Sequence, residues 1–166
     1  MSSRHFRNIV LLAACSLPLH GNAADVLTVK NIGMELARDL ASEAVLACRA
    51  KGYQVSAVVV DRNGNLRASL RDDLAARFTL QIAEDKANAA VMAGVDSSEF
   101  RKNRTDIRQE MNHVDGILVL DGGVQISASG YRIGALGVSG APGGERDEEC
   151  ARQALKLLAE RLEFAE

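Results

Sequence analysis

The stretch GILVLDGGVQISASGYRIGALGVSG, residues 116–140, decides the fold. Three apolar runs, Gly116–Leu120, Val124–Ala128 and Arg132–Val138, are separated by Asp121-Gly122-Gly123 and by Ser129-Gly130. These breaks are turn-forming and far too short for the crossover that parallel neighbours need, so three consecutive antiparallel strands are expected. Residues 53–60 and Leu66–Leu70 repeat the pattern around Asp61-Arg62-Asn63-Gly64-Asn65. Asn-Gly between strand-like runs predicts a type I′ hairpin, in which both central residues take φ > 0.

Helical periodicity fills the intervals. From an N-cap at Thr28, apolar or small residues recur at Val29, Ile32, Leu36, Leu40, Ala44, Ala47 and Cys48, and Gly52 ends the pattern. Steps of three and four mark one face of an amphipathic helix. Residues 75–93 form a second helical stretch closed by Gly94, and Asp96 with Glu99 sets a capping pattern for a short helix through Lys102. Residues 103–113 are polar and irregular. A last helix is expected over residues 145–163, with acidic residues in its first turn, where the macrodipole favours them. The order gives an α/β (α+β) domain: a five-stranded antiparallel sheet flanked by helices.

The whole chain has 166 residues, 25% of them charged and 47% hydrophobic, which fits one ordinary domain and neither disorder nor a polytopic membrane protein. A net charge of −2 gives no electrostatic reason to expect a nucleic-acid partner. The first 23 residues differ in kind. Arg4 and Arg7 precede an apolar run from Ile9 to Leu19, and Gly21-Asn22-Ala23 supplies small residues before a cut after Ala23. That is the form of a secretory signal peptide over 1–23, with a single domain over 24–166 in the periplasm or outside the cell. A buried N-terminal helix is the plain alternative. Leu12-Ala13-Ala14-Cys15 resembles a lipobox and gives a further one, a lipoprotein anchored through Cys15. Cleavage removes two basic and no acidic residues, taking the net charge from −2 to −4, and leaves one histidine, His113. The mature form has no transmembrane span in its sequence.

Gly122-Gly123-Val124-Gln125-Ile126, then Ile133 through Gly140, then Glu145-Arg146-Asp147-Glu148-Glu149-Cys150-Ala151 resemble the GlcG/HbpS-like haem-binding (haem-degrading) family. Val58-Val59-Val60-Asp61 with Gly64 resembles that family's first hairpin, and Asp85 through Ala90 its central helix motif. The resemblance covers about residues 27–160. It implies a profilin-like fold, homo-oligomers, and exported members that bind haem, some degrading it or partnering a sensor kinase. Other members are encoded beside glycolate-oxidation genes or fused to corrinoid-modifying enzymes. Gln125 departs from the family's usual proline, so the geometry of that loop does not carry over.

Few residues can carry chemistry. His113, with Met111 beside it, is the candidate axial ligand to haem iron; a solvent-exposed loop histidine is the plain alternative. Lys86, Arg101, Lys102, Arg104 and Arg108 offer cations for propionates or a small carboxylate, or else form a solvated helical face. Gly122 and Gly123 are a turn first and a ligand approach second. Met92, Tyr53, Tyr131 and Phe78 could line a flat apolar slot or simply fill core. One histidine and no ligand-spaced cluster make a structural zinc site unexpected. Ser139 lacks the GxSxG frame, and Asp72-Asp73 and Glu84-Asp85 read as caps and helix surface. No protein-borne catalytic apparatus is visible, and a binding protein fits better than a true enzyme; in haem degradation the chemistry belongs largely to the iron. The alternatives are a module for another tetrapyrrole or a small hydroxy or keto acid, and an accessory partner of a membrane sensor. Cys48 and Cys150 can form a disulfide in an oxidising compartment or remain two buried thiols.

Overall fold

Four strands form the sheet of the computed structural model, which describes residues 25–164. β1 (Ser56–Asp61), β2 (Leu66–Arg71), β3 (Gly123–Ala128) and β4 (Tyr131–Ser139) lie in the order β2-β1-β4-β3, every neighbour antiparallel. The expected fifth strand, Gly116–Leu120, is not a strand. Its backbone groups are taken by other partners: the Leu118 N–H donates to the Asp85 carbonyl at 3.1 Å, and the Val119 N–H to the Asn112 side chain at 2.8 Å. The Leu120 carbonyl accepts from the Ser97 hydroxyl at 2.6 Å. A short apolar run does not distinguish a buried strand from a chain segment laid on a helix.

Helices cover both faces of the sheet. α1 (Met34–Arg49) and a helix near the C-terminus, Gly144–Leu157, pack Leu40, Ala44, Cys48, Cys150 and Ala154 against Ala57, Val59, Leu136 and Val138. α2 (Phe78–Ala93) packs Ala83, Ala87 and Ala90 against Val58, Val60 and Ala135 on the other face. Two covered faces explain why β1 is buried throughout, with Ala57, Val58, Val59 and Val60 in unbroken apolar succession instead of alternating. α3 (Ser97–Asn103) and the one-turn α4 (Arg108–Met111) follow α2, so the stretch expected to be irregular holds a helical turn. The expected last helix is divided at Leu158 into α5 (Gly144–Leu157) and α6 (Ala159–Glu163).

Two local expectations are corrected. α1 begins at Met34 after an extended Gly33, not at Thr28. The preceding segment runs beside β4, where the Ile32 N–H donates to the Ile133 carbonyl at 3.1 Å and the Ile32 side chain is buried. The Asn63-Gly64 turn is not type I′, because only Gly64 has positive φ (87°). The Asp61 carboxylate accepts the N–H groups of Asn63 and Asn65 at 2.8 and 3.0 Å, which favours a longer loop with a register shift in β1. Burial pushes the Asp61 carboxyl up, but hydrogen bonds from Asn65, Asn63 and Asn31 outweigh it and hold it below the usual carboxylate value. The two-residue turn with φ > 0 at both positions lies instead at Ser129-Gly130, between β3 and β4.

The Cys48 and Cys150 sulfurs are bonded at 2.08 Å and join α1 to α5 across 102 residues. Among the described residues, no helix is long and apolar enough to cross a membrane. The signal peptide, its cut after Ala23 and Cys15 lie outside the described residues.

Candidate functional site

α2 organises both regions that hold the candidate residues. On its inward side Ala83, Lys86, Ala87 and Ala90 follow the i, i+3, i+4, i+7 rule, which places Lys86 on a buried row. Lys86 is 3% exposed, and its ammonium donates to Asp147 Oδ2 at 2.7 Å and to the Val138 carbonyl at 3.1 Å. It is therefore not part of a solvated cationic face. Asp147, in the first turn of α5, also accepts the Ala141 N–H at 2.9 Å and so closes the loop between β4 and α5. Burial pushes the Asp147 carboxyl above its ordinary value, more than the Lys86 ammonium draws it down. A cleft of about 460 Å³ opens beside this pair under residues 139–145.

Gly122 and Gly123 are buried against the same pair. A Cβ at Gly123 would run into the Lys86 carbonyl, and one at its strand partner Gly137 into the Ala83 carbonyl. These glycines let α2 lie directly on β3 and β4, so Gly122-Gly123 belongs to packing as well as to a turn. The same region shows what Gln125 does. Its backbone N–H donates to Asp96 Oδ1 at 2.8 Å, and its side-chain amide to the Ala90 carbonyl. A proline could not make the first of these bonds. Asp96 stands at the N-cap position of α3, yet its carboxylate serves Gln125 and Arg152 and does not cap the helix.

His113 and Met111 lie elsewhere, on the connector between α3 and β3. The connector is laid along α2: besides the Leu118–Asp85 bond, the Asn88 amide donates to the Gly116 carbonyl at 3.2 Å. Met111 ends α4 and is half-buried; His113 follows two residues later and is exposed. The His113 backbone N–H donates to the Glu110 carbonyl, while its imidazole has no hydrogen-bond partner among the described residues. Val114 next to it is exposed, and Met92, Gly116 and Ile117 line a neighbouring hollow of about 280 Å³. Arg104 precedes α4 and is paired with Asp106 at 3.0 Å. The candidate residues thus divide into a buried group, Lys86 with Gly122 and Gly123, and an outer group on the connector, the half-buried Met111 with the exposed His113 and Arg104.

The aromatic slot does not form. Tyr53, Phe78 and Tyr131 each lie against a different cation, Arg146, Arg77 and Lys30. An open cleft of about 770 Å³ is instead bounded by α3 and the start of α4, with Arg101, Lys102, Arg108 and Asp121 on its walls. Arg101 holds Asp121 at 3.2 Å. Asp147 and Asn112 were not singled out from the sequence. Asp147 becomes expected only once the sheet places Lys86 on an inward row, because a buried ammonium requires a counter-charge. Nothing local marks Asn112.

The profile described as haem degrading protein HbpS-like matches residues 32–156. A crystal structure of HbpS superposes with TM-score 0.76 at 35% identity, covering 82% of this chain and 96% of that one. A doubly substituted Streptomyces reticuli HbpS gives TM-score 0.76 at 34% identity, over 86% and 97% of the two chains. The PduOC:Heme complex shares the fold at TM-score 0.69 and 23% identity, over 76% of this chain and 94% of that one. The comparison with curated proteins returns no match.

Proposed function

The chain belongs to the HbpS-like haem-degrading protein family, and from that membership we propose that it is an exported, oligomeric haem-binding protein. The observation that carries this reading is the family match over residues 32–156. The residues present fit the group chemically. His113 offers an exposed imidazole with no competing partner, Met111 and Val114 flank it, and the connector they occupy is positioned by α2. Haem, when bound, would supply an iron centre able to react with oxygen or peroxide, and His113 is the residue that would hold that iron. The family's haem degradation and partnership with a membrane sensor extend the reading, as do the signal peptide over residues 1–23, the alternative anchor at Cys15 and homo-oligomer formation. Another tetrapyrrole or a small hydroxy or keto acid is the second reading, favoured by the cations on the open cleft.

Haem titration of the purified mature protein tests the first reading. A Soret shift at one haem per chain is expected, and His113→Ala should change the spectrum while leaving the melting temperature almost unmoved, because the side chain is exposed and unbonded. Haem binding with the same spectrum in the variant removes His113 as the ligand.

A further inference from the structure

Most arginines near α3 and α4 are already engaged. Arg104 is paired with Asp106, Arg152 with Asp96 and Glu148, and Arg101 with Asp121. Lys102 and Arg108 are different: neither has a carboxylate or hydrogen-bond partner among the described residues, and both face the same open cleft. Of the two acidic residues on its walls, Asp121 is paired with Arg101, while Glu99 accepts only from the neutral Asn103 amide at 3.5 Å and keeps its charge, so the three cations outnumber the carboxylates by one. The cleft therefore presents unbalanced positive charge on a chain whose net charge is negative. Such a surface attracts an anion through Lys102 and Arg108, the two cations without a carboxylate partner. Its position is also specific, since Arg108 opens the single turn of α4 that Met111 closes, and His113 lies two residues beyond.

We propose that the cleft between α3 and α4 is a carboxylate-binding subsite, in which Lys102 and Arg108 take the acid groups of a tetrapyrrole held at His113. The inference rests on the tetrapyrrole reading above, but it assigns affinity to these two cations and not to Lys86 or Arg104. Lys86 has its charge balanced inside the protein, and Arg104 is turned to Asp106. Carboxylate is the shared chemistry of a tetrapyrrole's propionates and of a free small acid, and the test separates the two.

The probes are metal-free protoporphyrin, its dimethyl ester and lactate, followed by porphyrin fluorescence and calorimetry. In the wild type, protoporphyrin should bind more weakly as salt rises, and the ester should show no such dependence. The double variant Lys102→Gln, Arg108→Gln should bind protoporphyrin about tenfold more weakly, as expected for two partly exposed charge-assisted contacts. It should bind the ester as the wild type does, and Arg67→Gln on β2 should change neither. Equal losses for acid and ester, or no loss for either, overturn the subsite. Displacement of protoporphyrin by lactate at comparable affinity also overturns the assignment, because the carboxylate source is then a small acid. A haem spectrum indifferent to His113→Ala, with the tenfold protoporphyrin loss intact, overturns the iron ligand and supports the cleft.

Discussion

The loop between β4 and α5 and the connector between α3 and β3 both rest on α2, but different forces hold them. The first is closed by a buried charge pair, Lys86 with Asp147, whose partners are the Val138 carbonyl and the Ala141 N–H. The second is held by neutral hydrogen bonds from Asn88, Leu118 and Val119, and most of its side chains reach solvent. A buried ion pair is costly to desolvate and more costly to break, whereas a neutral bond at the surface is a modest term. The residues suited to meeting a ligand, His113, Met111 and Arg108, lie on the part that opens cheaply. The residues that define the fold lie on the part that does not. Segments that engage ligands generally come from the less stable end of a structure.

The sharpest way to break this contrast is to strand the buried ammonium. Asp147→Ala should lower unfolding free energy by about 3–5 kcal/mol in denaturant titration, because Lys86 would remain buried without its counter-charge. Replacing both partners, Lys86→Met with Asp147→Leu, should recover most of that loss. If the single variant costs less than about 1 kcal/mol, the pair is not the closed region's fastener.

A second fastener acts on the opposite face of the sheet, where the Cys48–Cys150 bond ties α1 to α5. Both side chains are fully buried, so the bond should resist reductant until the protein unfolds. Cys48→Ala with Cys150→Ala should cost about 2–4 kcal/mol, chiefly by releasing a long loop in the unfolded chain. Mass measurement under non-reducing conditions gives the direct check, and two free thiols in the native protein would remove the bond from the account.

The contrast also explains what the sequence disclosed. Periodicity and turn residues located α1, α2, the β1–β2 hairpin and the β3–β4 hairpin, since each is specified by neighbours along the chain. The run Gly116–Leu120 looked like a strand because burial and extended shape are what such a run encodes; its true partners, Asp85, Asn112 and Ser97, are fixed only by tertiary packing. Lys86 was legible as a cation but not as a buried one, because the row it shares with Ala83, Ala87 and Ala90 becomes inward only once the sheet is placed. The glycines of β3 and β4 read as turns or ligand approaches for the same reason, although their closest neighbour is the α2 backbone. His113 stood out through scarcity alone.

Asn112 offers the smallest and most local perturbation of the open region. Its side-chain oxygen accepts the Val119 N–H at 2.8 Å and is the bond that folds the connector back on itself. Val119 is the buried residue of the 116–120 run, so this bond fixes the one side chain by which that run is anchored. Asn112→Ala should cost about 1 kcal/mol, the usual net value of a neutral hydrogen bond. The loss should appear as faster amide exchange at Val119 and its neighbours, with protection in β1 and β4 unchanged. Global stability should fall by no more than the local loss, because the connector can open without disturbing the sheet. Faster exchange throughout β4 would instead mean that connector and core unfold together, and the division between a rigid frame and a cheaply opened ligand-facing segment would not hold.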